Sequence, residues 1–474
     1  MADLADLGKL ERLRAVGCLE RYSTARNPQR FYTNVAVTAS YELPSSCELP
    51  LRDCIYSALE TLIGQHPVLS AIPLEEESKE PYFARLPEIS LDQCVSFRER
   101  SGREADAEAD AELDQMLNVQ HNVSFAAPLP YWRLSVLTGP RDGRRFTAAY
   151  VWHHAIGDGS SGKAFHRTFL QALRGVCSAS SPADVKSVVP SPKTPLLPNL
   201  EQVYPMPLSI FFILAVLFRA KIWKPARDPG LWTGSKTTLP LENQIRHLVV
   251  SQRDTAAFRG LCRENKTTVT AALQTVLAKA LFAHLPEQYT RLCCEGAISN
   301  RRWLTDDSIT DDSLGVWVQE FQEAYCRDSV SEAGFWDDAR RSKQNLDRIL
   351  ALRGKNCITS MLKYVGDYKN ELFLPKLGKE REKSFEVSNI GVYKPASPSS
   401  TTDDAEKGPR IDRMVFTQSS NVFGSAISTS VITGPDGCLV LGFSWQKGVV
   451  DAALVAAFIA SVKQELASFG EKRT

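Results

Sequence analysis

The chain has 474 residues, about three domains' worth at ~150 residues per domain, and can bury a large core without disulfides or a structural metal. Apolar residues make up 43% and charged residues 23%, which excludes disorder as the main state. With 56 Lys and Arg against 55 Asp and Glu, the net charge of +1 gives no field to hold a polyanion, and nucleic acid is excluded as a main partner.

Residues 1–17 are charged and helix-like rather than a secretory signal. A cytoplasmic, reducing setting is therefore expected, and the sequons at Asn122 and Asn265 are accidental. The eleven cysteines fit that setting: no Cys-x-x-Cys occurs, and zinc-ribbon and redox-motif readings fail on spacing. Residues 31–41 (FYTNVAVTASY) are β-branched and aromatic and predict a strand. Residues 51–63 follow with Ile55, Ala58, Leu59 and Leu62 at helical spacing, stopped by Gly64 and Pro67. The charged run 100–116 reads as a solvated helix or loop.

Residues 132–137 and 146–152 predict two strands around the turn 139–143, and the second runs into His153 and His154. The loop WHHAIGDGSSG leads into a helix whose Phe165, Thr168, Phe169, Ala172 and Leu173 share one face. The densest polar cluster of the chain thus sits at a strand-to-helix junction, where rigid elements can hold catalytic groups. Residues 178–207 are rich in Pro and Ser and predict a linker. Residues 208–218 (LSIFFILAVLF) are apolar all round but span only ~16 Å as a helix, short of a bilayer. Arg219, Lys221 and Lys224 follow. Phe211 and Phe212 are expected either to face a substrate tunnel, the slightly favoured reading, or to make peripheral membrane contact. The second half restarts with a strand at 246–251 and a helix carrying Leu273, Val276, Leu277, Ala280 and Leu281, with Thr270 as its expected cap. Strands then alternate with loops, residues 395–410 are low in complexity, and a last helix covers 452–468. These elements predict two α/β lobes, 1–185 and 244–474, joined by a crossover at 186–243.

His154 is followed at i+4 by Asp158, between Gly157 and Gly159. A histidine used as general base needs a free ring nitrogen near neutral pH and a fixed orientation. The glycines allow a tight turn, and Asp158 could brace the loop or hold the ring. Three other readings compete. Residues 157–163 fit a phosphate-binding G-x-x-x-x-G-K, but Ala164 stands where a hydroxyl is required and Asp158 repels phosphate. A metal site of His153, His154, Asp158 and His166 has no second cluster behind it. The histidines could also simply fill the junction. A serine hydrolase lacks its G-x-S-x-G elbow. A base without a partner nucleophile suggests direct attack of one substrate on a bound acyl donor.

HHAIGDG resembles the His-His-x-x-x-Asp-Gly signature of the superfamily of chloramphenicol acetyltransferase, BAHD acyltransferases, wax ester synthases and condensation domains. PLPYWRLSVL resembles the strand before it; GCLERYSTARNPQRFYTNVAVTASY, VSNIGVY and FTQSS resemble the largely fungal alcohol acetyltransferase family. The resemblance implies two chloramphenicol acetyltransferase-like lobes with a tunnel between them, in a monomer. It implies acetyl-CoA or another acyl-CoA as cosubstrate, an alcohol acceptor of secondary metabolism, His154 as base, Asp158 as brace and His153 as loop support. It needs no metal and no resident cofactor. Ser388, Asn389, Gln418 and Ser419 become candidates for the oxyanion or the tunnel wall. Two alternatives stay open: a condensation-like or wax-ester-type enzyme with a longer or carrier-bound donor, and a non-catalytic small-molecule-binding member.

Overall fold

The computed structural model describes residues 4–101, 110–139, 144–179, 184–223, 226–330, 333–395 and 408–471. The first half runs Val35–Glu42 (β1), Leu51–Gln65 (α1), Val95–Glu99 (β2), Ala111–His121 (α2), Trp132–Thr138 (β3), Arg145–Trp152 (β4) and Gly159–Ser178 (α3). The crossover holds Ile210–Lys221 (α4). The second half runs Asn243–Val250 (β5), Gln252–Glu264 (α5), Val269–His284 (α6), Arg291–Ser299 (β6), Val318–Cys326 (β7) and Phe335–Ala351 (α7). It continues with Phe385–Val392 (β8), Arg410–Gln418 (β9), Ile427–Thr433 (β10), Leu439–Gln446 (β11) and Ala452–Glu471 (α8).

Each lobe is a sheet flanked by helices. The first sheet has the order β9-β1-β4-β3-β2 and the second β5-β11-β10-β8-β6-β7. The β1 and β4 segments are central because nearly every residue is buried, which suits β-branched and aromatic side chains covered on both faces. Helices α1 and α3 pack on this sheet through Ile55, Leu59, Phe165 and Phe169, and Phe165 stacks on Tyr150 at 3.8 Å. Burial of one such side chain contributes about 1.5–3 kcal/mol. In the second lobe α8 is long and apolar enough to cross a membrane, yet its Val455, Phe458, Val462 and Leu466 lie in the lobe's core.

Three differences from the sequence reading concern placement. Strand β9 belongs to residues 244–474 but completes the first sheet, pairing antiparallel with β1 from Arg410↔Glu42 to Gln418↔Val35. Without it β1 would be a bare edge of unpaired backbone groups. Near the N-terminus, Glu11–Ala15 is a strand paired with Tyr82–Arg85, so a partner strand overrides the helix propensity of this charged segment. The cap of α6 is Thr268, whose hydroxyl accepts from the Ala271 N–H, and not Thr270. Much of the charged run at 102–109, the turn at 140–143 and the low-complexity stretch at 396–407 lie outside the described residues.

Candidate active site

Strand β4 ends at Trp152 and α3 begins at Gly159, so His153 and His154 sit on the loop between two rigid elements. Three bonds set the loop. The His153 N–H donates to Tyr131 O at 2.9 Å, the Ala155 N–H donates to His153 Nδ1 at 3.1 Å, and the Trp152 indole donates to Gly157 O at 2.8 Å. His153 is therefore consumed by the loop; its ring packs edge-on to Tyr131 at 5.2 Å, and burial pushes it down to about 3. Gly157 and Gly159 have ordinary backbone angles. Their role is close approach: a Cβ on Gly157 would lie 2.9 Å from Trp152 Nε1, and one on Gly159 would lie 2.7 Å from Ile390 of β8.

Asp158 caps α3. Its carboxylate accepts from the Ser161 N–H at 3.1 Å and from the Trp317 N–H at 3.2 Å. It also accepts two bonds from the Arg301 guanidinium, at 2.9 and 2.7 Å. Both side chains are almost wholly buried, at 1% for Asp158 and 8% for Arg301. Asp158 therefore ties the histidine loop to the second lobe and makes no bond to His154. Arg301 was outside the sequence reading because it lies far along the chain with no local motif.

His154 Nδ1 is buried without a hydrogen-bond partner, which leaves Nε2 as the nitrogen toward the cavity that His154 lines. Burial and then the Arg26 charge push His154 down to about 4, with its own backbone carbonyl and Asp158 opposing. The ring is thus neutral at pH 7 and able to accept a proton. The cavity is about 310 Å³. Tyr22, Tyr32, Leu372, Phe373 and Phe423 form apolar walls, and Arg26, Glu295, Glu386 and Gln418 are polar points. Burial, with the charge of Glu295 beside it, pushes the Glu386 carboxyl up.

A second cavity of about 760 Å³ lies beyond, lined by the start of α3 (Gly159, Ser160, Lys163), the start of α6 (Thr268, Thr270), Arg302 and Lys343. Ala297 and Val318 line both cavities. Along β6, Glu295, Ala297 and Ser299 share one face, as alternate strand residues do, and they belong in turn to the first cavity, to both and to the second. On β8, Glu386 and Ser388 make the same passage.

The candidates from the sequence divide accordingly. Gln418 lines the cavity with His154, whereas Ser388 and Asn389 line the second cavity. Ser419 is structural: its hydroxyl donates to Ser420 O at 2.8 Å and accepts from the Thr33 N–H. Phe211 and Phe212 line neither cavity, so the tunnel reading for them fails. Their helix is tethered at its start instead, by Ser209 N–H donating to Asn356 Oδ1. The alternative chemistries also lose their geometry. Lys163 donates to Ile390 O, and His166 is held between Tyr41 and Val37. Arg26, Tyr32, Glu295 and Glu386 were missed, although Arg26 and Tyr32 stand within the N-terminal pattern. Tyr32 is the sharpest omission: its hydroxyl is buried without a partner and its ring centre is 5.9 Å from that of His154.

Two lobes of helix-flanked sheet thus carry the His-His-x-x-x-Asp-Gly loop, with a neutral histidine lining a cavity. The sequence model of the alcohol acetyltransferase family matches residues 15–466, and the chain belongs to that family. It is 34% identical to the probable alcohol acetyltransferase crmB of Aspergillus fumigatus, over 96% of this chain and 99% of that one. It is 24% identical to the probable alcohol acetyltransferase FCK4 of Fusarium pseudograminearum, over 96% and 95%. Among solved structures, the trichothecene 15-O-acetyltransferase TRI3 of Fusarium sporotrichioides superposes with a TM-score of 0.73 at 13% identity, over 97% and 98%. The first condensation domain of the CDA synthetase gives 0.68 at 12%, over 97% and 96%. The enzyme is an acetyltransferase.

Proposed function

We propose that the protein transfers an acetyl group from acetyl-CoA to a hydroxyl of a mostly apolar small molecule, a secondary metabolite by class, with His154 as general base. The observation that carries this reading is the free face of a neutral imidazole in an aromatic-walled cavity that meets a second, larger cavity at Ala297 and Val318. The first cavity takes the alcohol. The second takes the donor: two helix N-termini and Arg302 suit an anionic cosubstrate, while Lys343 is already paired with Asp347 of the same wall.

His154 Nε2 removes the hydroxyl proton as the oxygen attacks the thioester carbonyl. The tetrahedral oxyanion takes a hydrogen bond from a cavity donor, a role assigned to Tyr32 because its hydroxyl has no protein partner and its ring neighbours that of His154. Collapse expels the coenzyme A thiolate, which receives the proton from His154. No covalent acyl-enzyme is formed. Ser23 and Thr359 bring the only side-chain hydroxyls besides Tyr22 and Tyr32 among the described cavity residues, no cysteine lines it, and Ser23 accepts from Arg26.

The test is coenzyme A release with acetyl-CoA and a panel of apolar alcohols, with product mass measured for wild type and His154→Ala. Product at wild-type rate from the variant refutes the base. An intact-protein mass gain of one acetyl group after acetyl-CoA alone refutes direct transfer. Hexanoyl-CoA outcompeting acetyl-CoA moves the reading to a longer donor.

A further inference from the structure

Helix α4 carries apolar residues on every side, with Arg219 the single charged residue among its described positions, yet none of these positions is buried. Phe211 is 81% exposed, Ile210 61%, and Ile222 and Trp223 just beyond the helix 75% and 57%. A helix apolar all round belongs inside a core or a lipid phase. This one is in no core.

Its position gives the surface a meaning. The segment that leads into α4 is fastened to residues 353–356: the Tyr204 hydroxyl donates to Arg353 O, the Asn356 N–H donates to Pro207 O, and Asn356 Oδ1 takes the Ser209 N–H. Two residues on, Ile358 lines the cavity of His154, as do Leu362, Leu372 and Phe373. In this same stretch Leu352, Tyr364, Leu374 and Leu377 are exposed, and Ile358 is exposed at the cavity rim. An apolar surface built from two segments therefore borders the wall of the acceptor cavity.

The charge around it selects the occupant. Residues 207–224 and 352–379 together carry nine Lys and Arg; Lys369 and Lys376 pair with Glu77 and Glu382, which leaves seven against two carboxylates, Asp367 and Glu371, in a chain whose overall charge is +1. A second copy docking by this face would set like charge against like under two-fold symmetry. An anionic lipid surface matches both the apolar side chains and the cations. Spanning is excluded, since 12 residues rise only ~18 Å against ~30 Å of hydrocarbon.

We propose that α4 with Ile222 and Trp223, together with the exposed face of residues 352–377, docks peripherally on an anionic bilayer, so that a lipophilic acceptor reaches the His154 cavity from the membrane. The docking stands by itself; the delivery of acceptor rests on the function proposed above.

The test is co-sedimentation of the full chain with phosphatidylcholine vesicles and with vesicles of phosphatidylcholine and phosphatidylserine at 7:3. Wild type and His154→Ala should both sediment with the anionic vesicles, and at least tenfold less with the neutral ones or in high salt. The double variant Phe211→Ser, Trp223→Ser, altered at exposed positions, should stay in solution with an unchanged melting temperature. So should Arg219→Glu, Lys355→Glu, which leaves the apolar surface intact. With an alcohol that the wild type acetylates, the double serine variant should match it in rate for a water-soluble form and fall at least tenfold for a vesicle-embedded one. Wild type remaining in solution with both vesicle types overturns the docking, as does a serine variant that still sediments. Dimerisation of wild type, abolished by the serine pair, overturns it in favour of a second copy. Sedimentation without any acetyl transfer leaves the docking standing and refutes the catalytic reading instead.

Discussion

Removing the charge of Asp158 leaves Arg301 buried beneath the histidine loop with no counter-charge. Asp158→Asn keeps the size of the side chain and Oδ1, which accepts from the Ser161 N–H and from Arg301 at 2.9 Å, but it loses the charge and the two bonds to Oδ2, from Arg301 at 2.7 Å and from the Trp317 N–H at 3.2 Å. Breaking a buried pair from one side costs about 3–5 kcal/mol, most of it the uncompensated charge. Arg301 keeps two long bonds, to Ser161 Oγ and Ser313 O, both at 3.3 Å, which places Asp158→Asn at the lower end, about 3 kcal/mol. Asp158→Ala adds the loss of the α3 cap, about 1 kcal/mol more. Arg301→Gln should cost a similar amount by stranding the carboxylate, and the pair Asp158→Asn, Arg301→Gln should recover about 2 kcal/mol of the summed losses. Urea unfolding of the four variants and wild type reads these values, and turnover of the folded fractions reads the loop. An Asp158→Asn variant within 0.5 kcal/mol of wild type would refute the brace, as would strictly additive single losses.

His154→Ala should lower kcat/KM by about 10²–10⁴-fold with little change in the urea midpoint, since Nδ1 makes no hydrogen bond to another residue; steady-state rates and unfolding curves check both halves. Tyr32→Phe should lower kcat by about 10²-fold, the cost of one oxyanion donor, with little change in KM; a pure KM effect would move Tyr32 to acceptor binding. Because the folded pKa of His154 is about 4, kcat/KM should stay level from pH 7 to 5 while the protein is folded, and a fall centred near 6.5 would contradict it. Stability has the opposite sensitivity. His66, His121, His153, His154 and His166 are held down at about 3 to 4, so unfolded chains bind protons below about 6.5 while the folded protein does not. Stability is then full well above pH 6.5 and lost as pH falls toward 4, by about 1.4 kcal/mol per histidine at pH 5.5. Urea midpoints that do not move between pH 7 and 5.5 would refute this.

Local patterns in the chain were enough for the loop and its neighbours. HHAIGDG stands after an apolar, β-branched strand and before a helix with one apolar face, and Asp158 is the N-cap residue that such a junction requires. Those features depend on residues within a few positions of one another, where backbone propensity and side-chain spacing act directly. The lobes follow from the same local signals, since most strands in the second half fall where aromatic and β-branched runs predict them. Partnership across the chain was a different matter. Asp158 finds Arg301, β1 finds β9, and Glu386 acquires its raised pKa only when Glu295 is brought beside it in a dry cavity. None of these has a spacing rule, because each is set by which surfaces pack together. Hydropathy showed that residues 208–218 avoid water, yet an apolar helix reads alike whether a core, a tunnel or a membrane takes it. Only the tertiary structure decided that, by filling both cores and both cavity walls with other side chains and leaving α4 outside them all.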